Sequence, residues 1–304
     1  MKVLMISGDR NLLTPESDAE KRLTMQKDHV DQLDVVVWPQ VHSFWHIVRS
    51  ARRERYDVVT VQDPFWRGLV GLLVARLIHA KLNVQVHVDF ASQSWGRRWL
   101  ASLPIRCAFS VRAVSERAKG SVHIRHQAKT QVLPIYIDLS RFKQLEHVAH
   151  DRPTILWVGR FEKEKDPLRA IEVLKRVREE GVDAKLVMLG AGKLESALRK
   201  AAQGLPVDFP GWRPPEEYLG RADVVLCTSP YESWGASIVE ALAAGVPVVA
   251  PDVGIAREAG AIITDRAHLA QAVVRTLGEK PGGVLRITFL SKEEWGKRWR
   301  ETLS

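Results

Sequence analysis

The chain has 304 residues, with 45 Lys and Arg against 36 Asp and Glu, and two cysteines; that length suits about two domains. Its 45% hydrophobic and 27% charged content is that of a globular protein and disfavours disorder, collagen-like repeats and a disulfide scaffold. The net charge of +9 is lopsided, because residues 1–150 hold 22 basic and 14 acidic side chains while residues 151–304 are balanced to within one charge; the first half is therefore expected to meet an anionic partner such as a membrane surface, nucleic acid or an acidic substrate.

In chain order, residues 3–6 form an apolar run of strand length, followed by a polar loop over 7–10 and a polar-rich helical pattern over 19–33. Further strands are predicted over 34–38, 57–61 and 82–88, and helices over 44–55 and 66–79. The second half repeats the rhythm with strands over 154–158, 184–189, 223–227 and 247–250. Its helices fall at 167–180, 194–202, 237–244 and 268–277, the first with Pro at its start and Gly181 past its end. Residues 291–302 read as a capped helix rich in Trp and Arg. Short β-branched runs alternating with helical patterns mean βαβ units and parallel sheets. The expected fold class is α/β with two modules in tandem, joined in the polar stretch 143–152. The predicted domains are 1–148 and 149–289, with a final helix, 290–304, returning to the first. Ligands of such sheets bind beyond the carboxyl ends of the strands, so a cleft between the modules is the default site.

The longest apolar run, over 68–75, is too short to cross a bilayer, and 3–6 is too short for a signal-peptide core. The expected location is cytoplasmic, either free or peripheral at the inner face of the membrane. Cys107 and Cys227 lie in apolar settings and are read as buried reduced thiols.

The strongest local signal is Ser229-Pro-Tyr-Glu-Ser-Trp-Gly-Ala-Ser-Ile-Val-Glu240, which follows a strand and opens a helix. Gly235 lets backbone approach a ligand, and the helix start beyond it favours an anion. Glu232 and Glu240 would lie about 12 Å apart on a continuous helix. Because Glu232 precedes the helix, both can face one elongated ligand; a capping Glu232 with a solvated Glu240 is an equal alternative on spacing alone. In Val158-Gly-Arg-Phe-Glu-Lys-Glu-Lys-Asp-Pro167, Arg160 and Lys165 sit in the loop after a strand. Two cations there suit a diphosphate, although a solvated charge run fits the spacing too. Leu189-Gly-Ala-Gly192 is a glycine-rich turn and weak by itself.

Taken in order, the strand with Gly159, Arg160 and Lys165, the Gly190 turn, Gly211-Trp-Arg-Pro-Pro-Glu-Glu217 and the Glu232 to Glu240 segment resemble the retaining glycosyltransferases of family 4. Weaker matches in the first half are Asp57-Val-Val-Thr-Val-Gln-Asp-Pro64, Val84-Gln-Val-His-Val-Asp89 and Arg112-Ala-Val-Ser-Glu116. The resemblance implies the GT-B fold, two Rossmann-like domains facing across a cleft. It implies transfer of a sugar from a UDP-, GDP- or ADP-linked donor to a glycan or lipid-linked acceptor, without metal or other cofactor. Arg160 and Lys165 would bind the donor diphosphate, with Gly159 at the strand end beside them. Ser233, Trp234, Gly235 and Ala236 would hold the phosphates, Glu232 the sugar hydroxyls and Glu240 the ribose. Gly190, Gly211, Trp212 and Arg213 would line the base pocket, His87 would lie beside the sugar, and Gly8 would approach donor or acceptor. Fixed cations stabilise the leaving diphosphate, a contact worth about 2.7–4 kcal/mol in comparable sites. The chain departs from the family's pattern in carrying one glycine in its first loop and Ile135-Tyr136 at the hinge.

Residues 95–129 contain eight basic side chains against Glu116 alone, beginning with Trp95, Arg97, Arg98 and Trp99 and ending at Lys129. Such a stretch suits an interfacial helix on anionic lipid, or a solvated face whose tryptophans pack inward. Nucleic acid is not an expected partner, for want of any recognisable motif. His42 with His46, and His123 with His126, are spaced as metal pairs would be but lack a third ligand, so no metal is expected. Two alternatives to the transferase stand: a nucleotide-sugar epimerase of the same fold and a non-catalytic carbohydrate- or nucleotide-binding subunit.

Overall fold

The short β-branched runs become the strands of two all-parallel sheets in a computed structural model that describes every residue except Glu16, 39–43, Gln144 and Ala149, and the side chain of His46. The chain divides into two units, Met1–Ile137 with Phe289–Ser304, and Asp138–Thr288. The break between Ile137 and Asp138 lies upstream of the polar stretch 143–152.

In the first unit β1 (Lys2–Ser7), β2 (Gln32–Val37), β3 (Val58–Val61), β4 (Lys81–Val86), β5 (Ser110–Ala113) and β6 (Thr130–Val132) are ordered β2-β1-β3-β4-β5-β6. The helical pattern expected to reach residue 33 stops at Lys27, because Leu33 pairs with Val3 in β2 and is buried. β3 and β5 are buried on both faces, as strands covered by crossover helices must be. Polar residues on these strands therefore satisfy one another across the sheet. Thr60 donates to its register partner Asn83 at 2.8 Å, and Asn83 donates to Ser110 at 2.9 Å and to the Thr302 carbonyl at 2.8 Å. The last of these bonds ties the chain end to the sheet. The helix Lys292–Glu301 opens on a capping box between Ser291 and Glu294. One face of this C-terminal segment carries Trp295, Trp299 and Leu303, spaced four apart, into the core with Leu12 and Leu23.

In the second unit β7 (Thr154–Val158), β8 (Lys185–Leu189), β9 (Val207–Gly211), β10 (Val224–Leu226), β11 (Val248–Ala250) and β12 (Ile262–Ile263) are ordered β12-β11-β10-β7-β8-β9. Counted from β7, this is the 3-2-1-4-5-6 order of a dinucleotide-binding sheet. The helix Pro167–Glu179 starts with Pro and buries Ile171, Leu174 and Val177 against Trp157 and Leu186. β6, β9 and β12 were not apparent as strands in the sequence; all three are sheet edges, and β9 holds Pro210, which an edge tolerates.

Candidate active site

The order reverses between β7 and β10, which pair through Ile155 with Val224 and Leu156 with Val225. A crevice forms beyond the carboxyl ends at such a switch point. The loops leaving these two strands carry Gly159, Arg160 and Lys165 on one side and Thr228 to Gly235 on the other. They are joined directly, since Lys165 Nζ donates to both Glu232 carboxylate oxygens at 2.5 and 2.7 Å. Ser229 Oγ also donates to Glu232 at 2.7 Å, and Glu232 is only 9% exposed. Glu232 does not cap the following helix: Gly235 is the N-cap and no side-chain bond caps it.

Thr228 carries the second link. Its hydroxyl accepts from Trp157 Nε1 at 2.9 Å and lies 3.0 and 2.9 Å from the carbonyl oxygens of Lys165 and Asp166. Its single proton can serve one of these carbonyls at a time. Asp166, in a left-handed conformation, is ion-paired with Arg266. The backbone that aims Lys165 is thus held from the core through Trp157 and from the side through Arg266. The sequence reading missed Trp157, Thr228 and Arg266; a threonine just past an apolar strand is the one signal it offered.

Gly190 is required by packing, since a Cβ there would stand 1.9 Å from the Gly159 carbonyl. Its N–H donates to the Gly211 carbonyl at 3.0 Å, so Gly159, Gly190 and Gly211 close the ends of three adjacent strands. Gly211 has a positive φ, and Trp212 and Arg213 beyond it are exposed. Arg160 is exposed and ion-paired with Glu164 at 2.9 Å. Gly235, at φ 100°, opens the helix Ala236–Ala243, on which Glu240 is half-buried. Trp234 is buried, Ser233 half-buried and Ala236 exposed. The turn is braced by Ile255, whose N–H donates to the Trp234 carbonyl at 2.9 Å. Burial and the nearby Glu232 charge push the Cys227 thiol up to about 11, which keeps it protonated and inert.

His87 and Gly8 belong to the first unit. His87 follows β4 and contacts Gln85 Oε1 at 3.3 Å. Gln85 also donates to Thr60 at 3.0 Å and accepts from Arg112 at 2.9 Å, which fixes its amide orientation. Burial first, then the charges of Arg112 and Arg22, hold His87 at about 3, so the ring is neutral. Gly8 lies under Arg67; a Cβ on it would fall 2.1 Å from the guanidinium carbon.

The stretch 95–129 is not one basic surface. Arg112 is 3% exposed on β5, with its Nε on the Leu133 carbonyl at 3.0 Å. Nor do the tryptophans pack inward: Trp95 and Trp99 are 81% and 68% exposed on the helix Trp95–Cys107. Cys107 is half-buried rather than buried, with Sγ 3.5 Å from Arg76. Among the described residues no cluster of three or more His, Cys, Asp or Glu could hold a metal, and no helix is long and apolar enough to cross a membrane. His42 and the His46 side chain lie outside the described residues; the rings of His123 and His126 are 6.1 Å apart.

Comparison with known proteins agrees with this geometry. Residues 152–279 match the family model for glycosyl transferases group 1. A GDP-mannose-dependent alpha-(1-6)-phosphatidylinositol dimannoside mannosyltransferase of Mycobacterium tuberculosis is 32% identical over 169 residues, half of this chain and 44% of that protein. An alpha-monoglucosyldiacylglycerol synthase of Streptococcus pneumoniae is 23% identical over 68% of this chain and 54% of its own length. The chain thus spans about half the length of these curated relatives. Among solved structures, Anabaena HepE in complex with UDP-glucose superposes with a TM-score of 0.78 at 18% identity, covering 100% of this chain and 99% of that one. Sucrose-phosphate synthase from Thermosynechococcus elongatus gives 0.71 at 16%, covering 100% and 95%. These likenesses are of fold, GT-B with two Rossmann-like units. Residues 152–279 are thus similar to the glycosyl transferases group 1 family.

Proposed function

We propose that the protein transfers a sugar from a nucleotide-sugar to a glycan or lipid-linked acceptor, with retention of configuration and without metal. The observation that carries this reading is the Lys165–Glu232 pair at the switch point of the second sheet, beside an uncapped helix start. A relative that uses GDP-mannose and a fold neighbour with bound UDP-glucose supply the donor classes to try first.

In the proposed reaction the bond from the anomeric carbon to the diphosphate breaks as the acceptor oxygen bonds to the same face. The acceptor proton passes to the departing phosphate oxygen. Arg160 and Lys165 stabilise the charge that develops on the diphosphate. Backbone N–H groups at the start of the helix Ala236–Ala243 add to that field. Glu232 holds sugar hydroxyls, Glu240 the ribose, and Gly190, Gly211, Trp212 and Arg213 the base. A neutral His87 acts by hydrogen bonding rather than as an acid. Titration calorimetry with UDP, GDP and ADP tests the reading. Binding of at least one, weakened in Lys165→Met, is expected; no binding of any of the three overturns it.

One observation supports a membrane-facing first unit. Trp95, Trp99 and Leu103 form an exposed stripe at four-residue spacing, with Arg98 and Arg106 on the same helix. Exposed tryptophans among arginines suit the interface of an anionic bilayer. Flotation with phosphatidylglycerol vesicles should be lost in Trp95→Ala/Trp99→Ala; equal flotation of both proteins refutes the assignment.

A further inference from the structure

The first sheet has its own switch point. Its order reverses between β1 and β3, where doubly wound sheets of this order also hold ligands. A cavity of about 460 Å³ opens there, of the size of a small-molecule site. Gly8 and Asp9 reach it from β1, Gln62 and Asp63 from β3, His87 from β4 and Arg112 from β5. Arg22, on the helix Asp18–Lys27, completes the wall.

The charges in this cavity are unequally compensated. Arg67 is neutralised by Asp63 at 2.5 Å and also donates to the Trp38 carbonyl. Arg112 has no carboxylate partner among the described residues. Its three bonds go to the neutral oxygens of Gln85, Leu133 and Pro134, at 2.9, 3.0 and 3.0 Å, and its face lies over the Trp295 ring. A fork with three protons committed keeps two N–H groups to offer. No hydrogen bond or ion pair is found for the Arg22 guanidinium within the described residues, and the charges of Asp18 and Asp9 only partly offset its burial. Burial depresses Arg22, and burial together with Arg22 lowers Arg112 to about 9, the signature of buried cations short of a counter-ion. The rest of the wall is of another kind. Asp9, Asp63, Gln26 and Gln62 are groups that hold hydroxyls, and Leu12, Ile135 and Trp295 are apolar.

We propose that this cavity binds a phosphorylated sugar or polyol, its phosphoryl group seated on Arg22 and Arg112 and its hydroxyls on the acidic and amide side chains. Guanidinium forks match phosphate oxygens in geometry as well as charge. The neutral His87 beside them has its one N–H on Gln85, so its other ring nitrogen can accept from a sugar hydroxyl. Under the transferase reading the bound molecule is the acceptor; that role rests on the reading, whereas the binding does not.

The test is titration calorimetry on the full chain with glucose 6-phosphate, glucose, inorganic phosphate and, as a lipid-headgroup probe, dihexanoyl phosphatidylglycerol. A charged hydrogen bond lost from such a site costs about ten- to a hundredfold in affinity. Glucose 6-phosphate is therefore expected to bind at least tenfold more tightly than glucose, to lose that advantage in Arg22→Gln and to recover most of it in Arg22→Lys. Among the described residues nothing is hydrogen-bonded to the Arg22 guanidinium, so its variants should melt like the parent. A tighter glucose 6-phosphate than phosphatidylglycerol names a soluble source, and the reverse names a lipid headgroup; either upholds the site. Equal binding of glucose, no binding of either phosphorylated probe, or an unaffected Arg22→Gln overturns it. So does loss of glucose 6-phosphate binding in Lys165→Met with none in Arg22→Gln, which would move the phosphate to the second unit. If UDP, GDP and ADP all fail while the Arg22-dependent binding persists, the transferase reading falls and the site stands.

Discussion

Lys165→Met separates what the Lys165–Glu232 pair does for the fold from what Lys165 does for a ligand. The ammonium lies 2.5 and 2.7 Å from the two carboxylate oxygens, and the lysine side chain is 24% exposed. Stranding one partner of a fully buried pair costs about 3–5 kcal/mol. With solvent reaching Lys165, the expected loss is about 2–3 kcal/mol, or roughly 4–12 °C for a unit of this size. Glu232→Gln, which keeps shape and leaves a lysine rather than a carboxylate unpaired at the more exposed end, should cost about 1–2 kcal/mol. The double variant should be more stable than additivity predicts by about 1–2 kcal/mol, because neither charge is then stranded. Calorimetric melting of the four proteins measures the cycle. Nucleotide titration on the same proteins gives the second readout. Lys165→Met should weaken UDP or GDP about ten- to a hundredfold. Glu232→Gln should bind the nucleotide as well as the parent or better, since the carboxylate no longer competes with the diphosphate for Lys165. Strict additivity of the melts would refute the pairing energetics. An equal nucleotide loss in both single variants would refute the assignment of Lys165 as the diphosphate cation.

Gly190→Ala should destabilise the second unit by about 1–3 kcal/mol, because its Cβ cannot stand 1.9 Å from the Gly159 carbonyl; an unchanged melting temperature contradicts this. Trp299→Ala, which empties a fully buried site beneath the first sheet, should cost about 3–5 kcal/mol, read by urea titration of tryptophan fluorescence. His87 should remain neutral in NMR spectra at pH 5, since its folded value is about 3 against 6.5 when exposed. The unfolded chain then binds the proton first, so stability falls as the pH drops from about 6.5 towards 3 and is unaffected by this residue above that range. His87→Gln should flatten that slope, and a His87 signal titrating near pH 6.5 would disprove the burial argument.

The candidate site of the second unit was legible because its chemistry sits at strand ends and helix starts, where single residues announce themselves. Arg160, Lys165, Glu232 and Gly235 stand out against the apolar strands that precede them. Its support was not. Trp157 reads as one more apolar strand residue, and only the fold brings its indole to Thr228, 71 positions away. In the first unit, Asn83 and Gln85 alternate with Leu82, Val84 and Val86 and resemble a strand with one wet face. Both are buried, because Thr60, Ser110 and Arg112 on neighbouring strands and the Thr302 carbonyl absorb their hydrogen bonds.

By itself, then, the sequence determined the alternation of strands and helices, the parallel sheets and the polar loops at the strand ends of the second unit, all consequences of hydrophobic period and of glycine and proline placement within a few residues. Tertiary structure alone decided where the excess positive charge goes. The basic stretch from Trp95 to Lys129 splits between an exposed helix, whose tryptophans face outward, and Arg112, buried in β5. Whether an arginine meets solvent, a carbonyl or a cavity depends on partners distant along the chain. The sheet order that gathers Arg22, Arg67 and Arg112 around one cavity cannot be read from spacing.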